Sequence, residues 1–332
     1  MSTIYDVARL AKVSPKTAAR ILAGEEGRPA NRARVLAAAQ TVGYVRNQQA
    51  ASLRSGKSNL LGLIVPDIQN PHYPAFFQMI HDVALAHGYH VLLSSTFGKA
   101  SEAVRSLRMF QQNRVEGIIA DAAEGESDEA CDPLFSEFLE KGVPIILCGR
   151  PARDVAADVS RIKNVAAVSR AVAYLRSKGH RRIGCISGES MAGRERRTGF
   201  LKGMAAGGLS VDPSLILLGS FTIEGGLVLG RELLRAKRRP TAIVTANDLM
   251  AIGVMQAARE QGLRTPEDVA VLGFGDSLLT QFITPGLTTL RMPVERIAED
   301  CVKKLLQRLS GRDVSSPVRM EYDAELVIRE SA

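Results

Sequence analysis

Val13-Ser14-Pro15-Lys16-Thr17-Ala18-Ala19-Arg20 is the stretch whose residue types and spacing point most directly to chemistry, and that chemistry is recognition. Ser14 offers a side-chain oxygen to a free N–H of the next turn, as a good N-cap does. Pro15 then stands at the first helical position, where its missing N–H costs nothing and its fixed φ suits the helix. Ala18, Ile21 and Leu22 share one face; Lys16 and Arg20, at i and i+4, share another. A short helix with an apolar underside and a basic outer face suits the major groove of duplex DNA, where Lys and Arg meet guanine O6 and N7. Taken alone, the stretch also fits a surface helix with two solvated cations.

The elements needed to position that helix surround it. Thr3 and Asp6 resemble a capping box, and Ile4, Val7, Ala8 and Ala11 keep the i, i+3, i+4, i+7 spacing of a helix over residues 4–11. The second helix runs from Pro15 to about Ala23, with Gly24 as its C′ residue. Pro29 opens a third, with Val35, Leu36, Ala39 and Val42 as its buried stripe and Gly43 as its stop. Residues 1–58 hold ten Lys and Arg against three Asp and Glu, which leaves 33 against 32 for the rest of the chain. A basic head on a nearly neutral body is the electrostatic footprint of a nucleic-acid partner. The head has no Trp or Phe, so it lacks the groups that insert into a membrane interface.

Beyond a short joint at residues 55–59, apolar strands alternate with amphipathic helices. Strands are expected near 60–65, 91–95, 115–120, 143–148, 182–187, 242–245 and 269–273. Helices are expected near 73–87, 101–112, 135–141, 165–178, 226–236 and 249–260. This α/β pattern implies parallel sheets wound on both faces, and its length implies two lobes. The four cysteines are far apart and make no C-x-x-C pair, so they are expected as small buried residues in a reducing compartment. No secretory leader, membrane span, metal knuckle or cofactor motif is recognisable.

Head and body together resemble the LacI/GalR family of transcription regulators. The resemblance rests on Thr3-Ile4-Tyr5-Asp6-Val7-Ala8, Val13-Ser14, Arg34-Val35-Leu36-Ala37-Ala38-Ala39, Gly43-Tyr44, Asn47 and Ala50-Ala51-Ser52-Leu53-Arg54 in the head. In the body it rests on Val65-Pro66-Asp67-Ile68, Asn70-Pro71, Gly179-His180-Arg181-Arg182-Ile183-Gly184, Asn247-Asp248 and Pro285-Gly286-Leu287-Thr288-Thr289-Leu290. It covers nearly the whole chain. It implies a helix-turn-helix domain at 1–45, a hinge helix and linker at 46–59, and a two-lobed, periplasmic-binding-protein-like effector and dimerisation domain at 60–332. Lobe 1 is expected at about 60–160 plus 292–319, and lobe 2 at about 161–291 plus 320–330.

The family pattern implies a homodimer on a pseudo-palindromic operator. Pro15, Lys16 and Arg20 would face bases and Thr17 phosphates. Thr3, Ser14, Asn47, Ala50 and Arg54 would complete the contacts, and Leu53 would wedge into the minor groove. In the body, Tyr73 and Phe221 would wall an effector cleft, Arg196 would clamp a hydroxyl, carboxylate or phosphate, and Asn247 would bond hydroxyls. Each also has a plainer reading, as core aromatics, a solvated arginine and a helix cap.

Several positions depart from the family pattern. Lys12 stands where a turn glycine is usual, Ala19 where serine is frequent, Asn31 for Thr and Arg46 for Pro. Gly275 replaces the Asp common in sugar-binding members, with Asp276 one place later as the candidate substitute; Gly149 also stands where some members have an acid. Fewer acids beside Arg196 favour an anionic effector. Gly273-Phe274-Gly275-Asp276 also resembles the gluconate-type branch. A sugar acid is the first expectation, with neutral sugars, sugar phosphates and purines as alternatives.

Two other classes fit less well. An enzyme would need a nucleophile or phosphate motif, and none of the five histidines has an evident partner. A periplasmic binding protein would need a leader rather than a basic head. Arg20→Ala is expected to cost about 1–3 kcal/mol of operator binding and to relax preference at one base pair per half-site. Equal weakening on operator and random duplex, titrated side by side, would remove base reading by Arg20.

Overall fold

A computed structural model describes residues 2–22, 24, 28–45, 57–121, 127–149 and 155–332. It divides into two compact units, residues 1–58 and 59–332.

The first unit holds α1 (Ile4–Leu10), α2 (Pro15–Leu22) and α3 (Pro29–Thr41). The capping box forms: Asp6 N–H bonds the Thr3 hydroxyl, and Thr3 N–H donates to the Asp6 carboxylate at 2.9 Å. Lys12 makes the turn in the left-handed region at φ 53°, where a Cβ costs about 1 kcal/mol. Gly24 (φ 86°) and Gly43 (φ 60°) follow α2 and α3 in the same region. Val7, Ala8, Ala11, Ala18, Ile21, Val35, Ala38 and Ala39 form the core. Leu36, expected in the stripe of α3, is 48% exposed. One residue on from Val35 turns it about 100° around the helix, and Ala38 takes the inward position.

In the second unit, one sheet contains β1 (Leu60–Val65), β2 (His90–Ser95), β3 (Gly117–Asp121), β4 (Ile145–Cys148), β5 (Asp158–Ile162) and β11 (Arg319–Tyr322). Its order is β11-β5-β4-β3-β1-β2, all parallel. The other contains β6 (Ile183–Ser187), β7 (Ile216–Leu218), β8 (Ala242–Thr245), β9 (Ala270–Gly275), β10 (Thr288–Arg291) and β12 (Glu325–Val327). Its order is β12-β10-β9-β8-β6-β7, parallel except for β12. The connecting helices are α4 (His72–Ala86), α5 (Ala100–Gln112), α6 (Ser127–Glu140), α7 (Asn164–Ser177), α8 (Met191–Ala206), α9 (Ile223–Arg235), α10 (Asp248–Glu260) and α11 (Val294–Leu309).

Several elements differ from the sequence expectation. The helix expected from residue 135 begins at Ser127 and continues through Pro133. The first sheet keeps the chain through Ile162 and again through Tyr322, so it extends two and three residues past the expected crossings. The short strands β5, β7, β10, β11 and β12 and the helices α8 and α11 have no counterpart among the expected elements.

Helix α10 lies against α9 backbone to backbone. A Cβ on Gly253 would stand 2.1 Å from the Ile223 carbonyl oxygen, and one on Gly226 2.2 Å from that of Met250. Gly253→Ala is therefore expected to lower stability by about 1–3 kcal/mol, the usual cost of overpacking. The check is a lower urea midpoint at unchanged slope. A midpoint equal to wild type would show that the helices separate freely.

Candidate functional site

In the head, Ser14, Pro15, Lys16 and Arg20 are all exposed, while Ala18 and Ile21 are buried beneath them. Ser14 Oγ accepts from Thr17 N–H at 3.1 Å and meets Thr17 Oγ1 at 2.8 Å. The cap thus fixes the start of α2 and presents Lys16 and Arg20 on its outer face. Asn47, Ala50, Leu53 and Arg54 lie outside the described residues.

In the body, a cleft of about 1050 Å³ opens at the carboxyl ends of β1, β3, β4, β5, β8 and β9. This is where parallel sheets leave their loops free to bind. Tyr73, Arg196, Phe221, Asn247 and Asp276 all line it. So do His72, Phe76, Asp121, Arg161, Asn164 and Phe274, which residue type and spacing alone had not singled out.

Arg196 is held from three directions. Its Nε donates to Asn164 Oδ1 at 3.0 Å, its Nη1 donates to the Ala246 carbonyl at 2.6 Å, and its guanidinium carbon sits 3.7 Å from the Phe274 ring centroid. A guanidinium stacked on an aromatic face is pre-organised and cation–π stabilised. Asn164 also donates to Glu195 Oε2 at 2.8 Å, and Glu195 pairs with Arg161 at 2.5 Å. Burial, and then the charge of Arg196, push the His72 imidazole down to about 4, so it is neutral at neutral pH. It stacks on Phe76 with 6.1 Å between centroids and meets Tyr73 edge-on at 4.9 Å.

Asn247 caps α10. Its Oδ1 accepts from Met250 N–H at 2.9 Å and its Nδ2 donates to the Phe221 carbonyl at 2.9 Å. The cap reading accounts for the residue, and the bond to Phe221 ties one wall of the cleft to another.

Asp276 lines the cleft with its charge already paired. Its carboxylate is engaged by Arg291 (2.6 Å), Arg329 (2.8 Å) and the Thr280 hydroxyl (2.9 Å). These bonds pin the loop after β9 to β10 and to the C-terminal segment while the residue stays on the cleft wall. Gly275 shows why no acid stands one place earlier. Its φ of 137° belongs to glycine, and a Cβ would meet Asp248 Oδ2 at 2.9 Å. Buried Asp248 fills that space, accepting from Ser277 N–H (2.8 Å) and the Thr289 hydroxyl (2.6 Å). Burial, with Asp276 nearby, raises its carboxyl pKa above the usual range. At Gly149 a Cβ would lie 3.7 Å from Asp121 Oδ1, so Asp121 supplies a carboxylate beside the position that lost one.

A helix-turn-helix head and a two-lobed body with a cleft at its strand ends define a DNA-binding regulator with a small-molecule sensor. Residues 3–47 match the family model for bacterial regulatory proteins of the lacI family, and residues 172–332 match that for a periplasmic binding protein-like domain. The HTH-type transcriptional repressor CytR of Escherichia coli K12 is 32% identical over 333 residues, which cover 99% of this chain and 96% of that protein. The ribose operon repressor of the same strain is 30% identical, covering 93% and 94%. Among solved structures, the transcriptional regulator CelR–cellobiose complex aligns with TM-score 0.75 and 28% identity over the full length of both chains. The lac repressor dimer bound to operator and the anti-inducer ONPF aligns with TM-score 0.85 and 25% identity, covering 99% and 98%. The chain belongs to the lacI family of bacterial regulatory proteins and is a DNA-binding transcriptional repressor of that family.

The Asp276 pairs set an acid limit. Burial favours its neutral form, but bonds from Arg291, Arg329 and Thr280 outweigh this and hold the carboxyl below its ordinary pKa. A depressed carboxylate contributes stability that is present above its unfolded pKa, near 4, and lost as pH falls through the folded value. Asp276→Asn should lower the melting temperature at pH 7 and narrow its gap to wild type as pH falls below about 4. A gap independent of pH would exclude an ionised Asp276.

Proposed function

We propose that this repressor binds a pseudo-palindromic operator as a homodimer and that a sugar-type effector, seated in the cleft of the body, sets its affinity for that operator. It would act in the cytoplasm, where operator DNA is reached. The cleft offers aromatic walls (Tyr73, Phe76, Phe221, Phe274) for the apolar face of a ring. It also offers Arg196, Asn164 and Asp121 as groups able to bond hydroxyls. The ribose operon repressor and the cellobiose-bound regulator, as similar proteins, support that class.

The observation that carries the finer reading is Arg196, fixed over Phe274 at the cleft wall while the charge of Asp276 is already paired with Arg291 and Arg329. A carboxylate-bearing sugar such as gluconate carries the charge opposite to that guanidinium, and charge-assisted hydrogen bonds are about twice as strong as neutral ones. Asp121 favours the second reading, a neutral sugar, because a carboxylate accepts hydroxyl bonds and repels an acid. Effector binding would change how the two lobes meet and so the spacing and order of the two hinge segments. The coupling between effector and operator is then reciprocal.

A thermal-shift panel of gluconate-like acids, hexoses, pentoses, sugar phosphates and purine bases tests this. A ligand that binds only the native state adds about 2.7 kcal/mol at a hundredfold excess over Kd. The expected result is a raised midpoint with a sugar acid that disappears in Arg196→Ala. A shift with neutral sugars alone would replace the acid reading with the Asp121 one, and a shift with purines alone would overturn the sugar class.

A further inference from the structure

The body's charge balance conceals a segregation. Residues 176–182 (Arg-Ser-Lys-Gly-His-Arg-Arg) and 235–239 (Arg-Ala-Lys-Arg-Arg) hold eight Lys and Arg and no carboxylate. The two segments lie side by side. They lead into β6 and, through Pro240 and Thr241, into β8, which are parallel neighbours paired from Ile183 and Ala242. Arg182 Nε donates to the Arg238 carbonyl at 2.6 Å, His180 Nδ1 meets the Thr241 hydroxyl at 3.0 Å, and Thr241 N–H donates to the Arg182 carbonyl at 2.9 Å. Together they form one cationic corner at the amino ends of the strands, opposite the effector cleft.

The adjacent acids are few and largely engaged. Asp212 pairs with Arg182 at 2.9 Å. Asp268 is held low first by Arg264, with Arg239 contributing. Glu232 and Glu267 are exposed at the margin. The helix macrodipole explains cations in the last turns of α7 and α9, such as Arg176 and Arg235, but it decays within that turn. It does not explain residues 237–239, which are all exposed. None of the exposed large hydrophobic residues falls in either segment. A protein partner would need an apolar anchor at the centre of its interface. A phosphate backbone needs only spaced cations.

We propose that this corner is a second DNA contact, taking the phosphate backbone of a duplex without reading its bases. The contact is salt-sensitive and independent of sequence.

The full-length chain is titrated against a non-operator duplex by fluorescence anisotropy from 50 to 300 mM salt. The test variant carries Arg235→Gln, Lys237→Gln, Arg238→Gln and Arg239→Gln, all surface positions. A control variant carries Lys99→Gln, Arg105→Gln, Arg108→Gln and Arg312→Gln, four exposed cations elsewhere on the body. Each lost phosphate contact flattens the log–log salt slope by about 0.9, so the test variant, with four cations removed, should lose up to about 3.6 in slope and about tenfold or more in affinity at low salt. The control should match wild type, and a third variant carrying Arg235→Lys, Arg238→Lys and Arg239→Lys should keep the wild-type slope. An unchanged slope in the test variant overturns the proposal, as does equal flattening in test and control, which would mean diffuse charge. Corner-dependent binding to polyglutamate with no change on DNA also overturns it, assigning the corner to an acidic protein.

Discussion

Parallel strands cannot be joined by tight turns; each must be followed by a crossover that returns the chain to the starting edge. That constraint governs the body. Because the two sheets are parallel except for β12, their strands end together, and the loops after β1, β3, β4, β5, β8 and β9 converge on one cleft. The same constraint gathers the loops before β6 and β8 at the opposite end, where the cationic corner lies. One topological rule thus separates a ligand end from a charged end.

Within the cleft, charge is managed by pairing. Asp276 is held by two arginines, and Arg161 by Glu195. Asn164 links Glu195 to Arg196, so the guanidinium is positioned by a bonded chain that spans α7 and α8. Ordering these groups before a ligand arrives lowers the entropy that binding must overcome. A neutral His72 beside Arg196 belongs to the same economy, since a second cation there would be opposed by burial and repulsion alike.

The glycines at 149 and 275 change the shape of the site as well as its charge. At residue 275 the backbone conformation and buried Asp248 together exclude a side chain, so the acid could not be restored there without rebuilding the floor of the cleft. Beside Gly149, Asp121 comes from a neighbouring strand. Residues distant in sequence can therefore bring the same chemical group to one place, and comparison at single positions does not detect it.

The short-range features were legible in the sequence because local chemistry fixes them. The capping box at Thr3, the Ser14 cap, the turn at Lys12 and the stop at Gly43 each depend on residues within one helical turn. The alternation of apolar runs and amphipathic helices gave most strands of the two sheets, since buried parallel strands are nearly continuous in apolar residues. The short edge strands β7, β11 and β12 were not legible, because three or four residues carry too little periodicity and their pairing is set by a distant partner. Leu36 was misplaced because two residues on neighbouring faces of a helix both satisfy an approximate stripe. In the site, the family resemblance assigned Tyr73, Arg196, Phe221 and Asn247 to a cleft. Only the tertiary structure decided that Asn247 also works as a cap, that Asp276 is taken by Arg291 and Arg329, and that Asp121 stands beside Gly149. Those outcomes depend on which strand ends meet across the sheets, and burial and charge pairing act through that proximity rather than through order along the chain.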